Sequence, residues 1–145
     1  MVEYAKPLPR PDVDSLPFWE GCKAHELRGQ RCRACNAFRW PPQSFCPHCY
    51  SWDFDWVKLD GAGTVYTYVV VHYVAVPAFA DDVPYVIAQI TLDGTDDRVH
   101  LLSNVIDCDP QQVKVGMRVQ PVFEDVTDEI TLPKFRPRPD LAALG

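Results

Sequence analysis

The second half of the chain is organised by β-type patterning. Residues 64–73, TVYTYVVVHY, are β-branched or aromatic at almost every position and specify a strand. Gly61 and Gly63 precede it, where the backbone can bend sharply or bulge. PYVIAQITL at 84–92 predicts a second strand, DGTDD at 93–97 a turn, and RVHLLSNV at 98–105 a third strand. DPQQVKVG is a polar connection whose Gly116 stands before a fourth strand, MRVQPVFEDV, and ITLPKF at 130–135 is a short fifth. The first half reads differently. Residues 1–13 form an extended arm marked by Pro7, Pro9 and Pro11. A short helix follows, with Ser15 as its cap, Pro17 in its first turn, and Phe18, Trp19, Cys22 and Leu27 as its apolar stripe.

Five strands without a long helix among them, the first long and bent, predict a mainly β chain with a small closed barrel. The OB-fold is the best-matched five-stranded barrel, although an SH3-like barrel or an open sandwich gives a similar string. The expected division is 1–56 for the arm, helix and cysteine-bearing segment, 57–136 for the barrel, and 137–145 for an extended tail.

The chain has 145 residues, enough for one modest core or a core plus a small appendage. With 47% hydrophobic and 23% charged residues it is expected to be soluble and globular rather than disordered. No apolar run approaches the roughly 20 residues that span a bilayer, and MVEYAKPLPRPDVD has no hydrophobic signal core. A cytoplasmic location is the expectation. There, paired cysteines indicate metal binding rather than disulfides.

Those pairs lie in CRACNAFRWPPQSFCPHC, residues 32–49: Cys32 and Cys35, then Cys46 and Cys49, with ten residues between the pairs. Each C-x-x-C turn aims two sulfurs at one centre while backbone amides stabilise the thiolates. Two such knuckles make a tetrahedral sulfur site whose usual occupant is zinc, and the same sulfurs can hold iron in a rubredoxin-like site. Such a site is closed, so a structural role is expected. Phe38, Trp40 and Phe45 are expected to pack over the segment, and Arg31, Arg33 and Arg39 to offset its negative charge. His48 lies inside the second knuckle, where C-P-H-C fits best with the histidine exposed. Cys22 and Cys108 read as ordinary buried thiols.

No other constellation announces a reaction. Phosphate-loop, G-x-S-x-G and H-E-x-x-H motifs are missing from the sequence. His72 and His100 read as strand residues, and Asp81, Asp82, Asp96 and Asp97 as solvated loop acids. Val76–Pro77–Ala78–Phe79 is an apolar loop that either folds onto the barrel or meets another chain. Charge narrows the partners further. Residues 51–130 carry four Lys/Arg against fourteen Asp/Glu, which argues against a nucleic-acid module despite Tyr66, Tyr68 and Tyr73.

Taken in order, FWE, C-R-A-C, W-P-P, C-P-H-C, G-A-G-T-V-Y-T-Y, P-Y-V-I-A, L-L-S-N-V and V-F-E-D-V-T-D resemble the acyl-CoA-associated zinc-ribbon/OB-fold proteins. That family was long catalogued only as a domain of unknown function. The resemblance runs from about Phe18 to Arg136. It implies an N-terminal helix and rubredoxin-like zinc ribbon before an OB barrel, and structural zinc on Cys32, Cys35, Cys46 and Cys49. It also implies an accessory subunit of a thiolase-like enzyme, a thiolase or lipid-transfer-protein-type aldolase, which it stabilises and helps to bind acyl-CoA in lipid or steroid side-chain degradation. No catalytic residue carries over. Coenzyme A is polyanionic, so contacts to it or to the partner are expected at the less acidic ends, on Arg39, Trp40, Lys134 and Arg136. A free-standing acyl-CoA-processing enzyme is the alternative. A single-stranded nucleic-acid module or an iron-bearing electron carrier fits less well.

Overall fold

A computed structural model describes residues 4–138. Among them the only α-helix is α1 (Leu16–Lys23), and it starts differently from the expectation. Ser15 makes no side-chain cap. Instead the Asp12 carboxylate accepts from the Ser15 amide at 2.8 Å, and the Ser15 hydroxyl accepts from the Asp12 amide at 3.0 Å. This reciprocal pair satisfies two donors one turn earlier than expected, in the manner of a capping box. The helix ends at Lys23, so Leu27 leaves the predicted stripe and opens the next strand.

That strand, β1 (Leu27–Cys32), is the centre of a small antiparallel sheet with β2 (Phe38–Arg39) on one side and β3 (Phe54–Leu59) on the other. Neither β1 nor β3 was expected. LRGQRC carries two arginines and a glycine, and FDWVKL carries two charges. Pairing makes them strands: Leu27 lies opposite Leu59 and Cys32 opposite Phe54. β3 crosses residue 57 while pairing with β1.

The remaining strands are β4 (Gly63–Val71), β5 (Tyr85–Leu92), β6 (His100–Val105), β7 (Arg118–Asp125) and β8 (Thr131–Pro137), close to the sequence expectation. They close into a barrel in the order β4-β5-β6-β8-β7, the OB topology. All neighbours are antiparallel except β6 and β8, which join in parallel at Val105 and Phe135. The bend of β4 comes from a register shift between Val65 and Thr67 that makes Tyr66 the extra residue. The two glycines before it have separate tasks. Gly61 takes φ +89°, and a Cβ on Gly63 would sit 2.6 Å from both Ile90 Cγ2 and the Thr91 carbonyl oxygen.

One apolar core runs through both parts. Val65, Ile90, Val119 and Phe135 fill the barrel, while Phe18, Cys22, Leu27 and Leu59 continue the same cluster into the ribbon. Cys22 is buried and its thiol is pushed up to about 12 by desolvation. Cys108 is only half-buried. A second joint lies at the surface, where the His25 ring stacks on Phe123 and its Nε2 lies 3.0 Å from Asp125 Oδ1. The Val76–Phe79 loop folds onto its own barrel. Pro77–Phe79 makes a short 3-10 turn, Phe79 stacks on Tyr85, and Lys6 from the N-terminal arm stands over the Phe79 ring and pairs with Asp82. Among the described residues no helix is long and apolar enough to cross a membrane. The expected tail lies mostly outside the described residues.

Candidate metal centre and the surfaces around it

Cys32 ends β1, and the chain then turns so that the Cys32 amide donates to Ala37 O and the Asn36 amide to Cys32 O. The second knuckle repeats the device. The Cys46 amide donates to Ser51 O, and the Tyr50 amide to Cys46 O. Each turn needs a left-handed residue directly after its second cysteine, Asn36 at φ 63° and Tyr50 at φ 65°. Asparagine tolerates that region; a bulky aromatic is strained there.

The four sulfurs come together as the spacing predicts. All lie within 4.8 Å of one another, with Cys32 and Cys49 at 3.6 Å and Cys35 and Cys46 at 3.7 Å. A zinc–sulfur bond of about 2.3 Å in a tetrahedron sets the sulfur–sulfur edge at about 3.8 Å. The cage therefore fits structural zinc. Backbone amides of Cys35 and Ala34 aim at the Cys32 sulfur, the interaction that favours a thiolate there. His48 is exposed and contributes only its amide, to the Cys46 sulfur. Four sulfurs complete the coordination and leave no open position for water or substrate.

The charged neighbours have other duties. Arg33 pairs with Asp55, and Arg31 stands over the Phe38 ring. Arg39, expected at an open surface, is only 4% exposed. Its Nε donates to Gln30 Oε1 and its Nη2 to Gln43 O, its guanidinium covers Phe54, and its Nη1 has no partner. Arg39 is thus an internal strut of the ribbon rather than a contact for a coenzyme. Trp40 meets Phe18 edge-on at 4.7 Å. Lys134 pairs with Glu124, while Arg136 is exposed beside the Gln120 side-chain amide.

Two of the grooves and one exposed patch bear on where a partner or coenzyme could sit. A groove of about 380 Å³ lies where the arm crosses the β6–β8 seam, lined by Tyr4, Lys6, Tyr85, Val105 and Lys134 among others. A smaller one of about 240 Å³ lies between α1 and the barrel, lined by Trp19, Trp40, Leu102, Pro133 and Lys134. Trp40 and Lys134 therefore share a groove, and Arg39 and Arg136 do not line it. At the knuckle tip, Phe45, Tyr50 and Trp52 are exposed, the last two by 72% and 70%. Phe38 is the buried cover that the sequence predicts. The exposed tip was not anticipated, although the residue after each C-x-x-C is the position to inspect.

Comparison with known proteins agrees with this geometry. Residues 19–55 match the family model "ChsH2, rubredoxin-like zinc ribbon domain", and residues 56–124 match "ChsH2, C-terminal OB-fold domain". A "probable enoyl-CoA hydratase alpha subunit" from Thermomonospora curvata is 39% identical over 133 residues, 91% of this chain and 40% of the relative. The chain thus spans about two fifths of that relative's length. A "DUF35 domain-containing scaffold protein" from Methanocaldococcus jannaschii is 38% identical over 71% of each chain. A "benzoylsuccinyl-CoA thiolase subunit BbsA" from Thauera aromatica is 32% identical over 43% of this chain and 47% of its own. A solved structure described as "Ltp2-ChsH2(DUF35) aldolase" superposes with a TM-score of 0.80 at 38% identity, over 90% of this chain and 98% of that one. Ribbon and barrel thus match the same family one after the other along the chain, which belongs to the ChsH2 zinc-ribbon/OB-fold family, DUF35.

Proposed function

We propose that this chain is an accessory subunit of a thiolase-like enzyme, a thiolase or an aldolase, which it stabilises and helps to hold an acyl-CoA. The observation that carries the reading is its likeness, over nearly the whole of the matched chain, to the ChsH2 component of a solved aldolase. The chemistry of the site supports it. A four-sulfur centre has no coordination position left to activate water. Two of the four histidines are tied, His25 to Asp125 and His100 to the Thr91 hydroxyl, and among the described residues no carboxylate hydrogen-bonds His100 to orient it as a base for that hydroxyl. Resemblance to a thiolase subunit points the same way.

Within this reading the enzyme partner supplies the reacting groups. The acyl-CoA contact falls on the basic end of the chain, where Lys134 and Arg136 stand on β8. Degradation of steroid or lipid side chains in the cytoplasm is the setting that fits such a complex. A tagged pull-down from the native host tests it, with mass spectrometry of what co-purifies and elemental analysis of the same sample. A stoichiometric thiolase-like protein and about one zinc per chain are expected. A zinc-loaded chain that comes out alone and turns over acyl-CoA by itself would overturn the reading. For the coenzyme contact, K134E/R136E is expected to weaken acyl-CoA binding by the complex; unchanged CoA binding and unchanged assembly would remove those two residues.

A further inference from the structure

We infer that the outer face of β4, β5 and β6 is the docking surface for the enzyme partner, and that the partner meets it with an apolar patch framed by basic residues. The inference rests on the accessory-subunit reading and specifies where the two proteins touch.

Alternation separates the two faces of these strands. Along β5, Val86, Ala88, Ile90 and Leu92 are buried, so Tyr85, Ile87, Gln89 and Thr91 point outward. The register places Val71 opposite Tyr85 and Val69 opposite Ile87 on β4, and Asn104 opposite Ile87 and Leu102 opposite Gln89 on β6. From Thr67 to Val71, Tyr85 to Thr91 and His100 to Asn104, no outward position carries a charge. Val69 and Leu102 are 58% and 64% exposed. Tyr66, displaced by the bulge, lies over His100 at 4.6 Å and is itself 58% exposed. A solvated strand face ordinarily alternates to polar or charged residues, so aliphatics here are unexplained by the barrel itself.

The face does not stop at β6. Leu102 also lines the groove beneath α1 that holds Trp19 and Trp40, so the apolar surface continues into that cleft. Aromatic anchors in a cleft beside a flat aliphatic area form the usual centre of a protein interface.

Charge selects the occupant. The connections at the two ends of these strands carry Asp81, Asp82, Asp96, Asp97, Asp107 and Asp109, all exposed. Against them stand Lys6, already paired with Asp82, Lys134 in the groove, already paired with Glu124, and exposed Arg98. Two copies meeting through this face would bring acidic rims together. A nucleic-acid strand would find no cation on the face and anions around it. A protein surface with an apolar centre and Lys or Arg at its edge satisfies both the centre and the rim.

The test uses the full chain in complex with the thiolase-like enzyme that co-purifies with it. V69D/L102D buries two charges at the centre and is expected to weaken the complex by roughly 100-fold or more. Both positions are exposed, so zinc content and thermal stability of the isolated variant should match the parent. D96N/D97N is expected to slow association several-fold at low salt, to lose that effect at high salt, and to leave dissociation unchanged. Hydrogen exchange on complex formation should slow in residues 66–71, 85–91 and 100–104. V69D/L102D binding within about threefold of the parent would overturn the face alone and leave the accessory role standing. A self-associated chain that L102D separates would make the occupant a second copy and overturn the partner assignment. Single-stranded oligonucleotide binding lost in the same variant would overturn it too. If the unaltered chain binds no thiolase-like enzyme, the accessory reading fails and the docking face with it.

Discussion

Removing the metal should unfold the ribbon while sparing the barrel, and the chain carries its own reporter for this. The perturbation is a strong chelator under reducing conditions. In the ribbon half, five apolar side chains are essentially buried: Phe18, Cys22, Leu27, Phe38 and Leu59. At about 1.5–3 kcal/mol each for the larger ones, their burial contributes on the order of 10 kcal/mol. A structural zinc contributes a similar amount, about 10–16 kcal/mol in isolated zinc modules. Chelation therefore removes roughly half of the favourable side and leaves four sulfurs within 4.8 Å with no cation between them. The barrel retains Val65, Ile90, Val119 and Phe135 in its own core. All four tryptophans, Trp19, Trp40, Trp52 and Trp56, lie before the barrel strands, and Trp19, Trp40 and Trp56 pack against the core. Tryptophan emission thus reads the ribbon and far-ultraviolet circular dichroism reads mostly the barrel. The expected result is a red shift of emission on chelation, reversed by added zinc, with much of the β signal kept. A chain stripped to below about a tenth of a zinc per molecule that kept its blue emission and melting temperature would refute the reasoning.

Three further expectations follow from particular contacts. G63A drives a Cβ to within 2.6 Å of the Thr91 carbonyl oxygen, a backbone atom that cannot step aside, so a loss of about 2–3 kcal/mol is expected, read as a fall in Tm on the order of 10 °C. The carboxyl of Asp125 is held below the usual aspartate range by the Thr131 hydroxyl and by His25. Its contribution to stability is present above the ordinary aspartate pKa of about 3.9 and is lost as pH falls through the depressed value. D125N should accordingly lower the urea midpoint at pH 7, and the difference should persist down to about pH 5, above the range in which this carboxyl titrates and with the metal still held; an unchanged midpoint would contradict this. Y50N replaces an aromatic held at φ 65° by a residue that tolerates it, so the isolated chain should gain about 0.5–1 kcal/mol in a urea melt; an unchanged or lower midpoint would show that the tyrosine is not strained there.

The barrel was legible because its strands carry their own signal. YVIAQITL alternates buried and half-buried residues, and the glycines before β4 mark the tight approach to Ile90 and Thr91. The metal cage was legible because two C-x-x-C turns leave few other uses for four thiols. The ribbon sheet was not. Its strands β1 and β3 carry arginines, aspartate and lysine, and their stability comes from pairing with each other across more than twenty residues of chain, which a local pattern does not contain. Arg39 misled for a related reason. A guanidinium between aromatics reads as surface, yet Gln30, the Gln43 carbonyl and Phe54 accept it inside. The capping pair was written as D-x-x-S, Asp12 to Ser15, ending on the serine that looked like the cap.

The closure of the barrel has a dynamic consequence. Strand β8 reaches β6 through the single bridge between Val105 and Phe135, with Ile106 donating to Phe135 O and Ser103 to Pro133 O beside it. On the other side, β7 holds β4 in register at Gly63–Val119 and Thr64–Arg118, with two more main-chain bonds from Val65 to Met117 and Gly116 just before β7. The barrel is therefore a three-stranded meander and a hairpin zipped along two short seams. Opening the hairpin breaks few main-chain bonds and exposes Val119 and Phe135 together. Amides of β7 and β8 that face the seams should exchange in one cooperative unit, separate from and less protected than those at the centre of β5.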